Sequence, residues 1–240
     1  MPPSNLLYKS SVQISDKISV MIPTVGQIME DESGYYNLIH LLTAMPIDMM
    51  VPLDAANIRF TDINDYELFL MLFPGLCNMD TKYVFGDLEI GKFEPAVNKE
   101  DGKIVLLNTE DGIVIDRKIQ SQIAATLRAI HHLKKNTKTP GNEAGYQYML
   151  ERAKIKASRK NKRSEPSQIE SLIIALVNTE QFKYDYESVL GLSIYQFNES
   201  VRQIIHKVEV DHRLQGVYAG TVDVKGCKPE DLNWLLRKSL

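Results

Sequence analysis

The sequence predicts an α+β fold: a mainly helical domain that carries a small antiparallel β insert. Apolar residues recur at helical spacing over most of the chain, and several of these stretches begin with helix-capping residues. Between residues 82 and 116 the pattern changes to short apolar runs separated by Asp101-Gly102 and Asp111-Gly112, which are typical hairpin turns. At 240 residues, with 44% hydrophobic and 25% charged residues, the chain is long enough to bury a sizeable core.

These patterns divide the chain into four parts. Residues 1–81 form an N-terminal strand plus a helical part, and residues 82–116 form the antiparallel β insert. Residues 117–163 form a basic helical segment, and residues 164–240 form a C-terminal helical part that completes the main domain.

The elements of the first part have ends marked by turn, capping or proline residues. In order, they are a hairpin over residues 12–22 that turns at Ser15-Asp16, a helix from Val25 to about Glu30 capped by Thr24, a buried helix around residues 36–42 that ends before Pro46, and a helix over Asp65–Phe73 capped by Asn64. Asp65 and Glu67 favour the positive end of the last helix. We expect Pro74-Gly75 to stop it.

The β insert is predicted to have three or four strands. Its apolar runs are Val84-Phe85, Leu88–Ile90, Phe93, Ile104–Leu107 and Ile113–Ile115. The repeated Glu-Asp-Gly at 100–102 and 110–112 is reminiscent of a calcium loop, but the ligand spacing is wrong for one. Solvated acidic turns are therefore the preferred interpretation.

The third and fourth parts are predicted to be helical. Asp116 caps a helix with its apolar stripe at Ile119, Ile123, Leu127 and Ile130. After the loop that ends at Pro140-Gly141, another helix begins at Asn142 or Glu143 and runs into the basic residues up to Arg163. Pro166 breaks it, and Ser167–Glu170 is a capping box for the next helix.

The strongest helix signal lies near the C-terminus. Ser193-Ile-Tyr-Gln196 is a capping box, and apolar residues at 194, 197, 201, 204 and 208 extend the helix to about Arg213. We expect Gly216 to interrupt it and Thr221–Val224 to be extended. Pro229 suits the first position of a last helix that runs to Leu236, with Trp234 anchoring the end of the chain on a core.

Several short segments of this sequence resemble segments of a known group of proteins. They are Leu192-Ser-Ile-Tyr-Gln-Phe-Asn198, Leu214-Gln-Gly-Val-Tyr-Ala-Gly220, Asp231-Leu-Asn-Trp234, Ala44-Met-Pro-Ile-Asp48 and Asp65-Tyr-Glu-Leu-Phe69. They resemble segments of tail- and baseplate-associated or tail-assembly proteins of bacteriophages of Gram-positive hosts. The resemblance is one of general sequence style and extends across about half the chain. The resemblance implies a virion component or an assembly factor, and it implies no catalytic residue.

No catalytic, cofactor-binding or metal-binding constellation is predicted. The five histidines lack metal-ligand spacing, and Cys77 and Cys227 form no Cys-x-x-Cys pair. Cys77 lies in an apolar setting that raises a thiol pKa, which argues against a nucleophile. Phosphate-binding glycine loops and nucleophile elbows are absent from the sequence.

Charge is distributed very unevenly along the chain. Residues 1–116 hold 7 Lys/Arg and 18 Asp/Glu, residues 117–163 hold 13 and 2, and residues 164–240 hold 8 and 11, so the net charges are −11, +11 and −3. The densest basic run consists of Arg152, Lys154, Lys156, Arg159, Lys160, Lys162 and Arg163.

Three interpretations of this basic run remain open. The first is a solvated helix end. The second is a docking surface for an acidic partner, such as the acidic first half of a neighbouring copy. The third is nucleic-acid binding, although the run lacks interleaved aromatic residues for base stacking.

These observations together predict a non-enzymatic phage tail or baseplate protein. Its expected partners are other tail or baseplate proteins, with a homo-oligomer as one form of association, bound through the basic run and the exposed face of the 193–213 helix. Asp101 and Asp111 are secondary candidates. The alternative is a nucleic-acid-associated phage accessory protein that uses residues 152–163. No apolar run approaches the length of a membrane span and residues 1–5 do not resemble a signal peptide, so we expect the host cytoplasm during assembly and then the virion tail.

Overall fold

The computed structural model describes residues 5–99, 102–160 and 167–236, apart from the side chain of Lys160. The α-helices of these ranges are, in order, α1 (Val25–Glu30), α2 (Glu32–Thr43), α3 (Met50–Ala55), α4 (Asp65–Leu76), α5 (Lys82–Phe85), α6 (Arg117–His131), α7 (Glu143–Lys160), α8 (Gln168–Val177), α9 (Ile194–Tyr218) and α10 (Pro229–Leu232). Helices hold 57% of the residues and strands 10%, which confirms the predicted α+β, mainly helical class.

The strands form two small antiparallel sheets. They are β1 (Ser11–Ser15), β2 (Ile18–Met21), β3 (Glu94–Val97), β4 (Ile104–Asn108) and β5 (Ile113–Ile115). The first two make a hairpin, and the other three form a sheet in the order β3-β4-β5. Gly112 adopts φ +64° at the predicted turn between β4 and β5, a conformation that glycine adopts without strain.

The predicted strand at Val84-Phe85 is wrong, because these residues lie in α5. Both side chains are buried, and α5 packs against β2. Successive residues of a strand point to opposite faces of a sheet, so one of the two would turn away from a core on one side. A single helical turn brings both side chains into the same core.

The predicted helix starts are confirmed at five capping residues. Thr24, Asn64, Asp116, Ser167 and Ser193 each accept a hydrogen bond from a backbone N–H in the first turn of their helices. At Thr24, Asn64 and Ser193 the reciprocal side-chain bond of a capping box is also present. These helix starts depend on residues three positions apart in the chain, so they can be predicted from the sequence.

The predicted helix ends are less accurate. Helix α4 continues through Pro74 to Leu76, whose buried side chain holds the last turn in the core, while α9 passes through Gly216 and ends at Tyr218. Thr221–Val224 does not form a strand: Asp223 is extended, but it leads into a short 3₁₀ turn, Val224–Gly226. The last helix stops at Leu232, and Trp234 lies 38% exposed beside α9, where its carbonyl accepts a hydrogen bond from Gln203.

Two clusters of buried side chains hold the fold together. The main core collects apolar residues from both sheets and from α1, α2, α4, α5, α6, α8 and the first turns of α9. A second, smaller core lies between α3, α4 and α7 and includes Leu53, Phe60, Leu68, Tyr146 and Leu150. Helix α7 therefore joins the molecule through the smaller core.

Backbone contacts fasten the start of α9 to the start of α1. The Val25 N–H donates to Leu192 O and the Ile194 N–H donates to Pro23 O, each at 2.8 Å. These two bonds form an isolated antiparallel bridge between the capping residues Thr24 and Ser193. The N-terminal and C-terminal parts of the sequence therefore share one core.

The carboxylate of Glu32 joins α2 to the start of α8. It accepts hydrogen bonds from the backbone N–H groups of Gln168 (3.0 Å) and Ile169 (3.1 Å) and from the Ser167 hydroxyl. Ser167 also caps the helix locally, accepting from the Glu170 N–H at 2.9 Å. A carboxylate at a helix N-terminus satisfies unpaired N–H groups and interacts favourably with the helix dipole.

Replacing Glu32 with alanine is expected to destabilise the protein by about 1–3 kcal/mol, because it removes a cap together with hydrogen bonds that are partly buried. Urea unfolding followed by circular dichroism measures this change. Glu170→Ala, which removes an exposed carboxylate from the same turn of α8, should cost less than about 0.5 kcal/mol. Equal losses in the two variants would show that the bridge from α2 contributes nothing.

His131 is buried at the end of α6 in an aromatic cluster. Its Nε2 lies 2.9 Å from the Tyr35 hydroxyl, and the Tyr35 and Tyr36 rings pack around the imidazole. Burial, and to a smaller extent the neighbouring His132, lower the pKa of His131 from 6.5 to about 4. The folded protein therefore holds this ring neutral, and a neutral Nε2 can accept a hydrogen bond from the Tyr35 hydroxyl.

Stability is expected to fall between pH 6.5 and pH 4 because of His131. The unfolded chain binds the proton below about pH 6.5, whereas the folded chain binds it only near pH 4, so acid favours unfolding. The contribution is about 3 kcal/mol at neutral pH and is lost as the pH approaches 4. The measurement is urea unfolding of the wild type and of His131→Gln at several pH values, and a parallel pH dependence in the two proteins would contradict it.

Candidate functional site

Helix α7 carries most of the basic run and is held by its first half. Asn142 caps the helix by accepting from the Gly145 N–H at 2.8 Å. Tyr146 stacks on Phe60 with ring centroids 4.9 Å apart, and Leu150 is buried beside it in the smaller core. Beyond Leu150 the described side chains of α7 are exposed or half-buried, so the second half extends along the surface.

Ion pairs fix the side of α7 that faces the protein. Arg59 pairs with Glu143 at 2.7 Å and lies over the Tyr146 ring, and Lys154 pairs with Asp54 of α3 at 2.6 Å. The hydrogen bond from Arg59 lowers the pKa of Glu143 and raises that of Arg59. These contacts orient the helix and leave its opposite side to solvent.

The opposite side is the outer face of α7, which we define as Tyr148, Arg152, Ile155, Lys156 and Arg159. Spacings of three and four residues place these side chains on one side of the helix. Tyr148 is 59% exposed and Ile155 is 52% exposed. The Arg152 guanidinium lies 5.7 Å from the centre of the Tyr148 ring, and its Nη1 donates to the Tyr148 hydroxyl at 2.9 Å, which raises the pKa of Arg152.

The predicted binding residues do not all belong to this face. Arg152, Lys156 and Arg159 lie on it, whereas Lys154 points to the other side and pairs with Asp54. The side chain of Lys160, together with Lys162 and Arg163, lies outside the described residues. Tyr148 and Ile155 were not among the predicted binding residues, although their spacing of four and three from Arg152 places them on the same side of a helix.

Part of the acidic charge of residues 1–116 is neutralised within the chain. Lys135 lies 3.2 Å and Arg117 3.7 Å from the carboxylate of Asp65. Burial would raise the pKa of Asp65, but the hydrogen bond and charge of Lys135, with the charge of Arg117, outweigh it and lower the pKa. In the described part of the chain, Lys156 and Arg159 have no such ion pair.

The secondary candidates have local roles or lie outside the described ranges. The carboxylate of Asp111 accepts from Asn108 at 2.9 Å within its own turn, and its carbonyl accepts from Lys17. Asp101 lies outside the described residues. The C-terminal half of α9 packs against α10. On the predicted face of this helix, Ile205 remains 54% exposed.

A groove of about 790 Å³ lies between the starts of α4 and α6 and the β3–β4 hairpin. Its described lining includes the carboxylates of Glu67 and Asp116. Glu67 accepts a hydrogen bond from the Asn64 N–H and Asp116 from the Ile119 N–H, each at 2.8 Å. These carboxylates therefore cap the N-terminal ends of α4 and α6.

The described residues include no cluster of three or more His, Cys, Asp or Glu that could hold a metal ion. Cys77 and Cys227 are both free thiols, and burial raises the pKa of Cys77. Within the described ranges, none of the helices has the length and apolar character needed to cross a membrane.

Residues 159–237 match the family model described as the YomV second domain. The match covers about a third of the chain and contains α8, α9 and α10. YomV is a Bacillus phage-derived protein, so a phage protein is the class that this similarity supports, without a specific role in tail or baseplate. No match was found among curated proteins or among solved structures.

Proposed function

We propose that this chain is a non-enzymatic phage tail or baseplate protein that binds other tail subunits, as a virion component or as an assembly factor. The observation that carries the proposal is the outer face of α7. Three cations and two apolar side chains stand together there, on the side of the helix opposite the contacts that fix it to the protein. Surface side chains that the fold does not use are available for a partner.

A binding role agrees with the properties of the carboxylates and the thiol that could otherwise serve catalysis. The carboxylates of the groove act as helix caps, and the Cys77 thiol is shifted away from the reactive thiolate. Two of the segments that carry the tail-protein resemblance, Leu192–Asn198 and Leu214–Gly220, lie within the region similar to the phage-derived domain. These observations support association over catalysis.

Deletion of the gene in the encoding phage tests this function. We expect particles with absent or incomplete tails, and restoration of tails when the protein is supplied from a plasmid. Mass spectrometry of purified wild-type particles then separates the two forms of the proposal, since a virion component is retained and an assembly factor is lost. Complete, infectious tails on the deletion phage would overturn the proposal.

A second candidate function is nucleic-acid binding by the same helix. The observation that favours it is Tyr148, which lies beside Arg152 and supplies the aromatic residue that the basic run itself lacks. Phosphate neutralisation would make the affinity fall steeply with salt and show little dependence on nucleotide sequence. Fluorescence anisotropy with a labelled oligonucleotide at low and high salt tests this candidate.

A further inference from the structure

We infer that the outer face of α7 binds an acidic amphipathic helix of another phage protein. This inference rests on the proposed function and specifies the chemistry of the partner. On this face Ile155 and Tyr148 are exposed, and so are the cations around them.

The apolar side chains distinguish an acidic protein from a nucleic acid. A phosphate backbone would neutralise Arg152, Lys156 and Arg159, but it offers no apolar surface to Ile155. Burying an isoleucine against an apolar partner side chain is favourable because it removes apolar surface from water. An acidic protein segment with apolar residues satisfies both kinds of side chain on the face.

The spacing of the cations fits a helix as the partner. At a rise of about 1.5 Å per residue, Arg152 and Lys156 are about 6 Å apart along the axis, and Arg152 and Arg159 are about 10 Å apart. Carboxylates at positions i, i+4 and i+7 of a second helix have the same separations and lie on one face. Apolar residues between those carboxylates would then contact Ile155 and Tyr148.

The outer face is about 16 Å long from Tyr148 to Arg159, which corresponds to about three helical turns. A partner segment of about 12 residues is enough to cover it. Each charged pair at an exposed surface contributes modestly to affinity and sets orientation and partner choice, and the apolar contact at Ile155 adds to the three pairs.

The test places a photo-crosslinking amino acid, p-benzoylphenylalanine, at position 155 of the full-length chain during phage infection. The control carries the same group at Val97, which is 66% exposed on β3. After irradiation, mass spectrometry reads the sequence of the peptide attached at each position. We expect position 155 to capture a segment of another phage protein with acidic residues at helical spacing, and position 97 not to capture it.

Other outcomes overturn the inference in different ways. Capture of a neutral or basic segment of a tail protein would reject the acidic helix and leave the proposed function intact. Capture of nucleic acid, or of a second copy of this chain, would replace the partner. Failure to capture any molecule at 155 would reject both the inference and this face as the binding surface. Once a segment is known, Ile155→Ser should weaken its binding about tenfold, and an unchanged affinity would exclude the apolar contact.

Discussion

Reversal of three charges on the outer face of α7 is expected to abolish partner binding without loosening the fold. The variant is Arg152→Glu, Lys156→Glu and Arg159→Glu. Each substitution converts an attractive contact with an acidic segment into a repulsive one, so the affinity for the segment captured at position 155 should fall roughly a thousandfold. Isothermal titration calorimetry with that segment as a peptide gives the affinity.

The matched control reverses three exposed lysines elsewhere: Lys118→Glu, Lys134→Glu and Lys138→Glu. It changes the net charge by the same amount and leaves the outer face of α7 unaltered. We expect this control to bind within a few-fold of the wild type, and both variants to keep the wild-type melting temperature. Equal losses of affinity in the two variants would assign the effect to overall charge.

Replacement of Phe197 with alanine is expected to destabilise the protein by about 3–5 kcal/mol. Phe197 lies in the first turn of α9 and is among the largest fully buried side chains of the main core. The backbone at this point is fastened to α1 through Thr24 and Ser193, so the surrounding structure has little freedom to fill the cavity. Urea unfolding followed by circular dichroism gives the change in free energy of unfolding.

Ile205→Ala is the control for Phe197→Ala, because Ile205 lies on the same helix and is 54% exposed. The Ile205→Ala substitution should lower the free energy of unfolding by less than about 1 kcal/mol. A small effect of Phe197→Ala would mean that α9 does not pack into the main core as described. A large effect of Ile205→Ala would instead show that the far half of α9 is covered in solution.

Local interactions account for the predictions that the sequence made correctly. At Asn64 and Ser193 the cap and the residue three positions later form a capping box through contacts within one turn, so α4 and α9 begin where expected. The Asp111-Gly112 turn joins two strands because glycine accepts a positive φ at little cost. The sequence by itself therefore determined the fold class and most helix starts, together with a stretch of chain rich in lysine and arginine.

Only the tertiary structure decided the features in which long-range contacts outweigh local conformational preference. Val84-Phe85 becomes a helical turn because both side chains enter one core, and Leu76 holds α4 past Pro74. Glu32 caps a helix that begins 136 residues later. Lys154 lies off the outer face of α7 and pairs with Asp54, whereas Tyr148 and Ile155 on that face are exposed. Each outcome depends on which distant residue occupies the adjacent space, and helical spacing alone carries no information about that neighbour.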